Sequence, residues 1–399
     1  MRIFDMKSPQ MGFRERHGVA SVALALLLAS CCLEVVSDMT SSETGQTSPG
    51  DAGCMASVGS NLAPGVTTLA GNGRNADTDG TGGPNGTAEF SQPFSLAFGA
   101  DCNVYVADVF GIRKVESDGE VTTIVGGGEG PISGNGIYPA GSNQPVNPFG
   151  LARDVAGNLY VSDEGGNRIC RVDLHGNVTT LAGRGGAAFA DGPGGPEGTA
   201  EFDGPRGLAV DASGNIFVAD TGNNRIRKID PAGNVTTVAG NGQPSSGVGT
   251  GGPDGTAEFN HPNGLVLDSR GDVFVADADN YRICKIGPSG NVTIVAGSGS
   301  NGFLDGFGIA AEFSLPGGIA IDPGGNLYVS DDGNNRIRKI DPSGDVTTVA
   351  GNGMQGFADG TLGVTGSAEF NEPNGVAVDS AGNIYVADIF NFRIRKVVP

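Results

Sequence analysis

Tryptophan is absent from this 399-residue chain, histidine occurs three times, and Lys plus Arg number 24 against 44 Asp plus Glu. Binding to a phosphate backbone needs stripes of Lys and Arg that release counterions, so a formal charge of -20 excludes nucleic acid as a partner. An acidic surface of this kind keeps a protein soluble and repels anionic membranes. Beyond residue 30 only His175 and His261 remain, too few for a histidine metal centre. No G-x-S-x-G, phosphate loop, Ser/His/Asp constellation or C-x-x-C spacing occurs. Long stretches of helical periodicity are also missing. The apolar run Val19 to Leu28 is about ten residues, too short to span a bilayer.

What the chain has instead is glycine, 70 residues of it, and a repeated sentence. Short apolar runs alternate at period two between Gly, Asn, Asp and Pro, the pattern of an all-β chain. Six times the order is P-x-G-[LIV]-A-[VI]-D, G-N-[ILV]-[YF]-V-[AS]-D and N-x-R-I-x-K-[IV], followed in complete copies by G-x-V-T-T-[VL]-A-G. Pro205 to Gly240 is almost unbroken. The last copy, from Pro373, stops at Val397 without the final phrase, which stands at the other end as Gly65 to Gly71. A first strand that completes the last repeat closes a ring. Each copy supplies four strands, a to d, and four-stranded sheets repeated radially make a propeller. The expected fold is therefore all-β: a six-bladed β-propeller of four-stranded antiparallel blades, occupying 61–399 and closed by the N-terminal strand.

These motifs resemble the NHL-repeat propeller family from Gly65 to the C-terminus. Five copies carry D-x-x-[NG]-x-R-I-x-[KR]-[IV], at Asp163, Asp220, Asp277, Asp331 and Asp388, while the copy at Asp108 is two residues short. The missing Trp argues against WD-type blades. Propellers of related type include amidating lyases, streptogramin-type lyases, gluconolactonase-like hydrolases and strictosidine synthase-like enzymes. The first two use histidine-rich axial sites, which this chain lacks.

Residues identical in every blade suit a scaffold. The Asp closing each b strand is expected to accept backbone N–H groups and to pair with the Arg five residues later. Ala-Glu-Phe triplets at Glu89, Glu201, Glu258, Glu312 and Glu369 dock the inter-blade loops, and Arg225-type residues strut them. Binding is expected where blades differ. The d–a connections run roughly 17 to 23 residues, a length that marks functional or mobile loops. Opening each a strand, the variable residue is Phe94, Phe149, Arg206, Asn263, Gly317 or Asn374, and just before the Pro stand Gln92, Asn147, Gly204, His261, Leu315 and Glu372. In the b–c loops of the first and last blades, Phe110, Phe390 and Phe392 with Phe94 are expected to form an apolar patch.

The N-terminus is a targeting segment. Leu28-Ala29-Ser30-Cys31 behind the apolar run resembles the bacterial lipoprotein signal, which implies a signal peptide over 1–30, a lipidated Cys31 and a flexible tether over 31–60. An ordinary secretory signal cleaved near Ser30 is the alternative. A lipid anchor places the protein on the bacterial cell envelope, at the outer membrane, without a transmembrane helix. Among the remaining cysteines, Cys54 precedes the closing strand by eleven residues and Cys102 sits in the a–b turn of the neighbouring first blade, so these two are expected to pair. Cys170 and Cys284 replace arginine in two c strands and are expected to be free or buried.

The leading functional expectation is a monomeric, non-catalytic envelope platform binding protein or glycan through Phe94, Phe149, Arg206, Asn263, Glu372, Asn374, Phe110, Phe390 and Phe392. It needs no cofactor or metal. The rival is a calcium-dependent lactonase or lyase using carboxylate and amide oxygens near the axis, with Asp77-Thr78-Asp79-Gly80 a weak calcium signal.

Overall fold

A computed structural model describes residues 63–99, 101–126, 147–195 and 197–399. Six antiparallel sheets follow one another along this span. The third blade is typical: strand a is Pro205–Val210, b Ile216–Asp220, c Arg225–Ile229 and d Asn234–Ala239. Its b and c strands pair without a break from Ile216↔Ile229 to Asp220↔Arg225. Strand b reads as a near-continuous apolar run (Ile216-Phe217-Val218-Ala219) because both its faces meet other blades. The core lies between successive blades: one cluster joins Tyr328 and Ile337 of the fifth blade to Val376, Ile384 and Val386 of the sixth. The next joins Tyr385 and Ile394 of the sixth to Leu96 and Val104 of the first.

Gly65–Ala70 is the outer strand of the last blade, paired with Arg393–Val398 from Gly65↔Val398 through Ala70↔Ile394. The ring is closed as the repeat requires. The glycine of each P-x-G has a steric reason. A Cβ on Gly207 would lie 2.4 Å from the Asn263 carbonyl oxygen, on Gly264 2.5 Å from that of Gly317, and on Gly318 2.4 Å from that of Asn374. Neighbouring inner strands touch there, so only glycine admits that approach.

The long d–a segments have an architectural role that their length alone conceals. Among the described residues, five of them cross to the following blade and run back along the outer edge of its d strand. Gly192–Pro193 pairs with Val235 and Asn234, and Gly306–Phe307 with Val346 and Asp345, so among the described residues two blades have five strands. Elsewhere single bridges do the same, Gly80↔Val121, Gly249↔Val292 and Gly360↔Val66. This covers an edge that would otherwise offer unpaired N–H and C=O groups. Part of the loop length is thus spent on edge protection.

Cys170 and Cys284 are free and buried. Burial pushes the Cys170 thiol up to about 11, which leaves it unreactive. Cys102 is disulfide-bonded, and its partner lies outside the described residues, as do Cys31 and Cys54. Non-reducing peptide mapping should join Cys102 to Cys54; a Cys102 peptide joined to Cys32 would refute that pairing. Among the described residues no helix is long and apolar enough to cross a membrane.

Candidate functional site

The carboxylate ring is a structural device with two wirings. Asp108, Asp163, Asp220, Asp277, Asp331 and Asp388 are all fully buried. Each takes backbone N–H groups from the segment entering strand a, as Asp220 does from Asp203 and Asp388 from Asn371. In three blades strand c reads Arg-Ile-Arg, and the second arginine supplies the cation. Arg227 Nη1 donates to Asp220 at 2.6 Å, and Arg338 and Arg395 do the same to Asp331 and Asp388. Their Nη2 groups reach loop carboxylates Asp191, Asp305 and Asp359. The first arginine lies over a loop phenylalanine: Arg225 on Phe189, Arg336 on Phe303 and Arg393 on Phe357, each guanidinium within 3.8 Å of the ring centroid.

Where strand c reads Arg-Ile-Cys, the first arginine turns inward instead. Arg168 and Arg282 then donate from Nε to Asp163 and Asp277 at 2.8 Å. The sequence carries the correlate: the loops before Arg-Ile-Arg blades contain F-x-D-G, and the loop before Arg282 reads Ser246-Gly247-Val248-Gly249. The expected pairing with an arginine five residues on holds for the Arg-Ile-Cys blades and for the first blade, where Arg113 lies 3.7 Å from Asp108; in the Arg-Ile-Arg blades it is the one seven residues on. The first blade has Gly111-Ile112-Arg113, and Asp77 and Asp79 both bond Arg113. Those two carboxylates, read as a weak calcium signal, serve a guanidinium. Among the described residues no group of three His, Cys, Asp or Glu side chains is placed to hold a metal.

The variable residues opening the a strands sit directly beside the glycine contacts. Phe94 and Phe149 stack with centroids 4.7 Å apart and planes 17° apart. Arg206 covers the other side of Phe149 at 4.8 Å and donates to Glu164 Oε1 at 2.8 Å. Glu164 Oε2 accepts from Asn147 Nδ2 at 2.9 Å. On the far arc Asn374 Nδ2 donates to Asp332 Oδ2 at 2.7 Å, and the missing side chain of Gly317 leaves room for that pair. Asn263, Asn374 and Phe149 are only 6–7% exposed, while Arg206 and Phe94 are half-buried and Glu372 is exposed.

A second ring, not singled out from the sequence, supports this mouth. The residue following each b-strand Asp is Val109, Glu164, Thr221, Ala278, Asp332 or Ile389. Each of the polar ones meets the a-strand entry of the next blade: Glu164 with Arg206, Thr221 with the Pro262 carbonyl, Asp332 with Asn374. The signal was a matched character between positions about 40 residues apart, which no local pattern exposes.

Asp332 is the mouth's electrostatic outlier. Its Oδ1 is buried, and the hydroxyl nearest the carboxyl is that of Ser330, which also meets the Gly318 backbone. Burial raises its carboxyl well above the usual range, against the pull of Asn374. A raised folded pKa makes this group's contribution to stability greatest in acid, and that contribution is lost as pH rises through the raised value. Asp332→Asn should therefore raise the melting temperature by a few degrees at pH 8 and by less at pH 5. An equal gain at both pH values would contradict this.

Around the rim His261, Leu315 and Glu372 hold positive φ of 48°, 50° and 51°. For residues with side chains such conformations persist only when their surroundings enforce them. The enforcing contact is visible at two of them: Asn224 Oδ1 accepts from the His261 N–H and Asn335 Oδ1 from that of Glu372. Phe392 occupies the equivalent of those asparagines, at φ 54°, and Phe390 beside it is 41% exposed. Phe110 is half-buried in the first blade's b–c turn. The ring partner the structure gives Phe94 is Phe149 rather than one of these b–c phenylalanines. On the opposite face a cleft of about 500 Å³ opens between the fourth and fifth blades, lined by Asp268, Arg270, Asp272, Phe274, Lys285 and Asp341.

A six-bladed ring with an asymmetric mouth on one face defines the class: a propeller whose blades share a frame and differ at the axis. The teneurin NHL domain family matches residues 64–248, and NHL repeats match 259–286, 313–340 and 370–396. The chain is an NHL-repeat β-propeller. It is 28% identical to Teneurin-3 of Danio rerio over 373 residues, covering 84% of this chain and 13% of that protein. It is 30% identical over 266 residues to the chloroplastic protein SUPPRESSOR OF QUENCHING 1 of Arabidopsis thaliana, covering 63% of this chain and 25% of that one. The chain thus spans a quarter or less of these relatives. Among solved structures, an auxiliary nutrient binding protein from Bacteroides thetaiotaomicron superposes with a TM-score of 0.62 at 17% identity, covering 84% of this chain and 76% of that one.

Proposed function

We propose that this propeller is a non-catalytic binding platform on the bacterial cell envelope, held by a lipid on Cys31 and engaging protein or glycan through the face bearing the d–a and b–c loops. The observation that carries this reading is the mouth itself. Six a-strand entries share one backbone frame yet place two aromatic rings, an ion pair and two amides around a single axis, an arrangement suited to a ligand of low symmetry. The nutrient-binding description of a protein of like fold supports a binding role. The rival, a calcium-dependent lactonase or lyase, requires an ion at the mouth. One stoichiometric calcium in protein purified without chelator would favour it.

Arg206→Ala and Phe390→Ala should weaken retention of the partner captured from envelope extract, with stability changed by no more than about 1 kcal/mol. If Asn215→Ala, in an a–b turn of the opposite face, is the damaging change, the binding face is misassigned. Cys31→Ser should abolish incorporation of labelled palmitate; labelling that persists would refute the anchor.

A further inference from the structure

We infer that the mouth takes a neutral glycan, an assignment that rests on the binding face proposed above. A sugar ring offers one apolar C–H face and a rim of hydroxyls that both donate and accept. A site for it pairs a flat aromatic ring with planar polar side chains already fixed in place. Phe94 supplies the ring: Phe149 backs one side of it at 4.7 Å, and it stays half-buried, so part of it reaches solvent. Beside it runs a fixed chain of planar groups, Arg206 to Glu164 to Asn147.

In this neighbourhood Asn147 Oδ1 is buried without a hydrogen-bond partner. An unpaired acceptor is costly, and a hydroxyl that reached it as the rim yields to a ligand would satisfy it. Charge then narrows the class. Arg206 is neutralised by Glu164, so among the described residues the mouth offers no free cation for a phosphate, and the overall charge of -20 disfavours polyanions. A protein interface of ordinary kind would place a well-packed aromatic or Arg anchor at its centre. Here Phe149 is 7% exposed, and beside the axis the mouth presents paired polar groups around the partly exposed Phe94, with Phe390 standing apart at the rim.

The test is native affinity electrophoresis of the full-length chain in mild detergent, through gels containing soluble starch, β-glucan, xylan or mannan, with alginate as the acidic comparison. At least one neutral polysaccharide should retard the chain. Phe94→Ala should weaken that retention roughly tenfold, the scale of one lost aromatic contact, while Phe94→Trp keeps it. Circular dichroism and melting of both variants separate lost binding from lost fold. Retardation by alginate alone, or retention unchanged by Phe94→Ala in a folded chain, overturns the glycan assignment. If no polysaccharide retards the chain but Phe94→Ala abolishes capture of an envelope protein, the glycan assignment falls and the binding face stands. If neither Phe94→Ala nor Arg206→Ala alters any retention, both fall.

Discussion

Deleting residues 1–71 is expected to lower the unfolding temperature by at least about 10 °C and to cut soluble yield sharply. The deletion strips Gly65–Ala70 from Arg393–Val398 and leaves the latter as a bare edge inviting aggregation. It also removes Val66 and Ala70, 2% and 0% exposed, from two inter-blade cores. One long-range tie goes with them, the Thr68 hydroxyl to Asp359, and the Asn72 carbonyl that Arg393 holds is left at the new chain end. Deleting only residues 1–60 spares all of these but removes the cysteine that pairs with Cys102, so it should melt well above the 1–71 deletion and like the parent once the parent's disulfide is reduced. A 1–71 deletion that melts like the parent would mean the ring does not depend on this strand.

The second large effect concerns the two wirings of the Asp ring. Arg227→Cys converts the third blade to the Arg-Ile-Cys form, and Arg225 should then leave Phe189 and reach Asp220, as Arg282 reaches Asp277. The single change should be mild. Removing both arginines leaves a buried carboxylate without a cation and should cost about 3–5 kcal/mol. Urea unfolding of Arg227→Cys, Arg225→Ala and the double variant measures the coupling. If Arg227→Cys alone is as damaging as the double change, the wirings are not interchangeable and the correlation with F-x-D-G is incidental.

Architecture was legible because each copy restates it. The absent final phrase after Val397 and its presence at Gly65 to Gly71 identified the closing strand, and Asp in every blade was readable as scaffold because nothing varied around it. The mouth was only half legible. Variation at Phe94, Phe149, Arg206, Asn263 and Asn374 marked the axis, but their partners Glu164 and Asp332 lie 42 residues before Arg206 and Asn374. Such pairing comes from neighbouring blades meeting in space, which a repeat read one copy at a time does not display. The edge-covering role of the d–a segments was hidden for a related reason. The outer edge that the d–a segments cover exists only once the sheets are assembled.

The binding face is tested most directly by hydrogen exchange on the full-length chain, free and bound to the polysaccharide or envelope partner it retains. The account predicts added protection in segments 204–207, 261–264, 372–375 and 389–392, around the mouth. Protection confined instead to 268–272 and 341–344, beside the cleft of the opposite face, would contradict it.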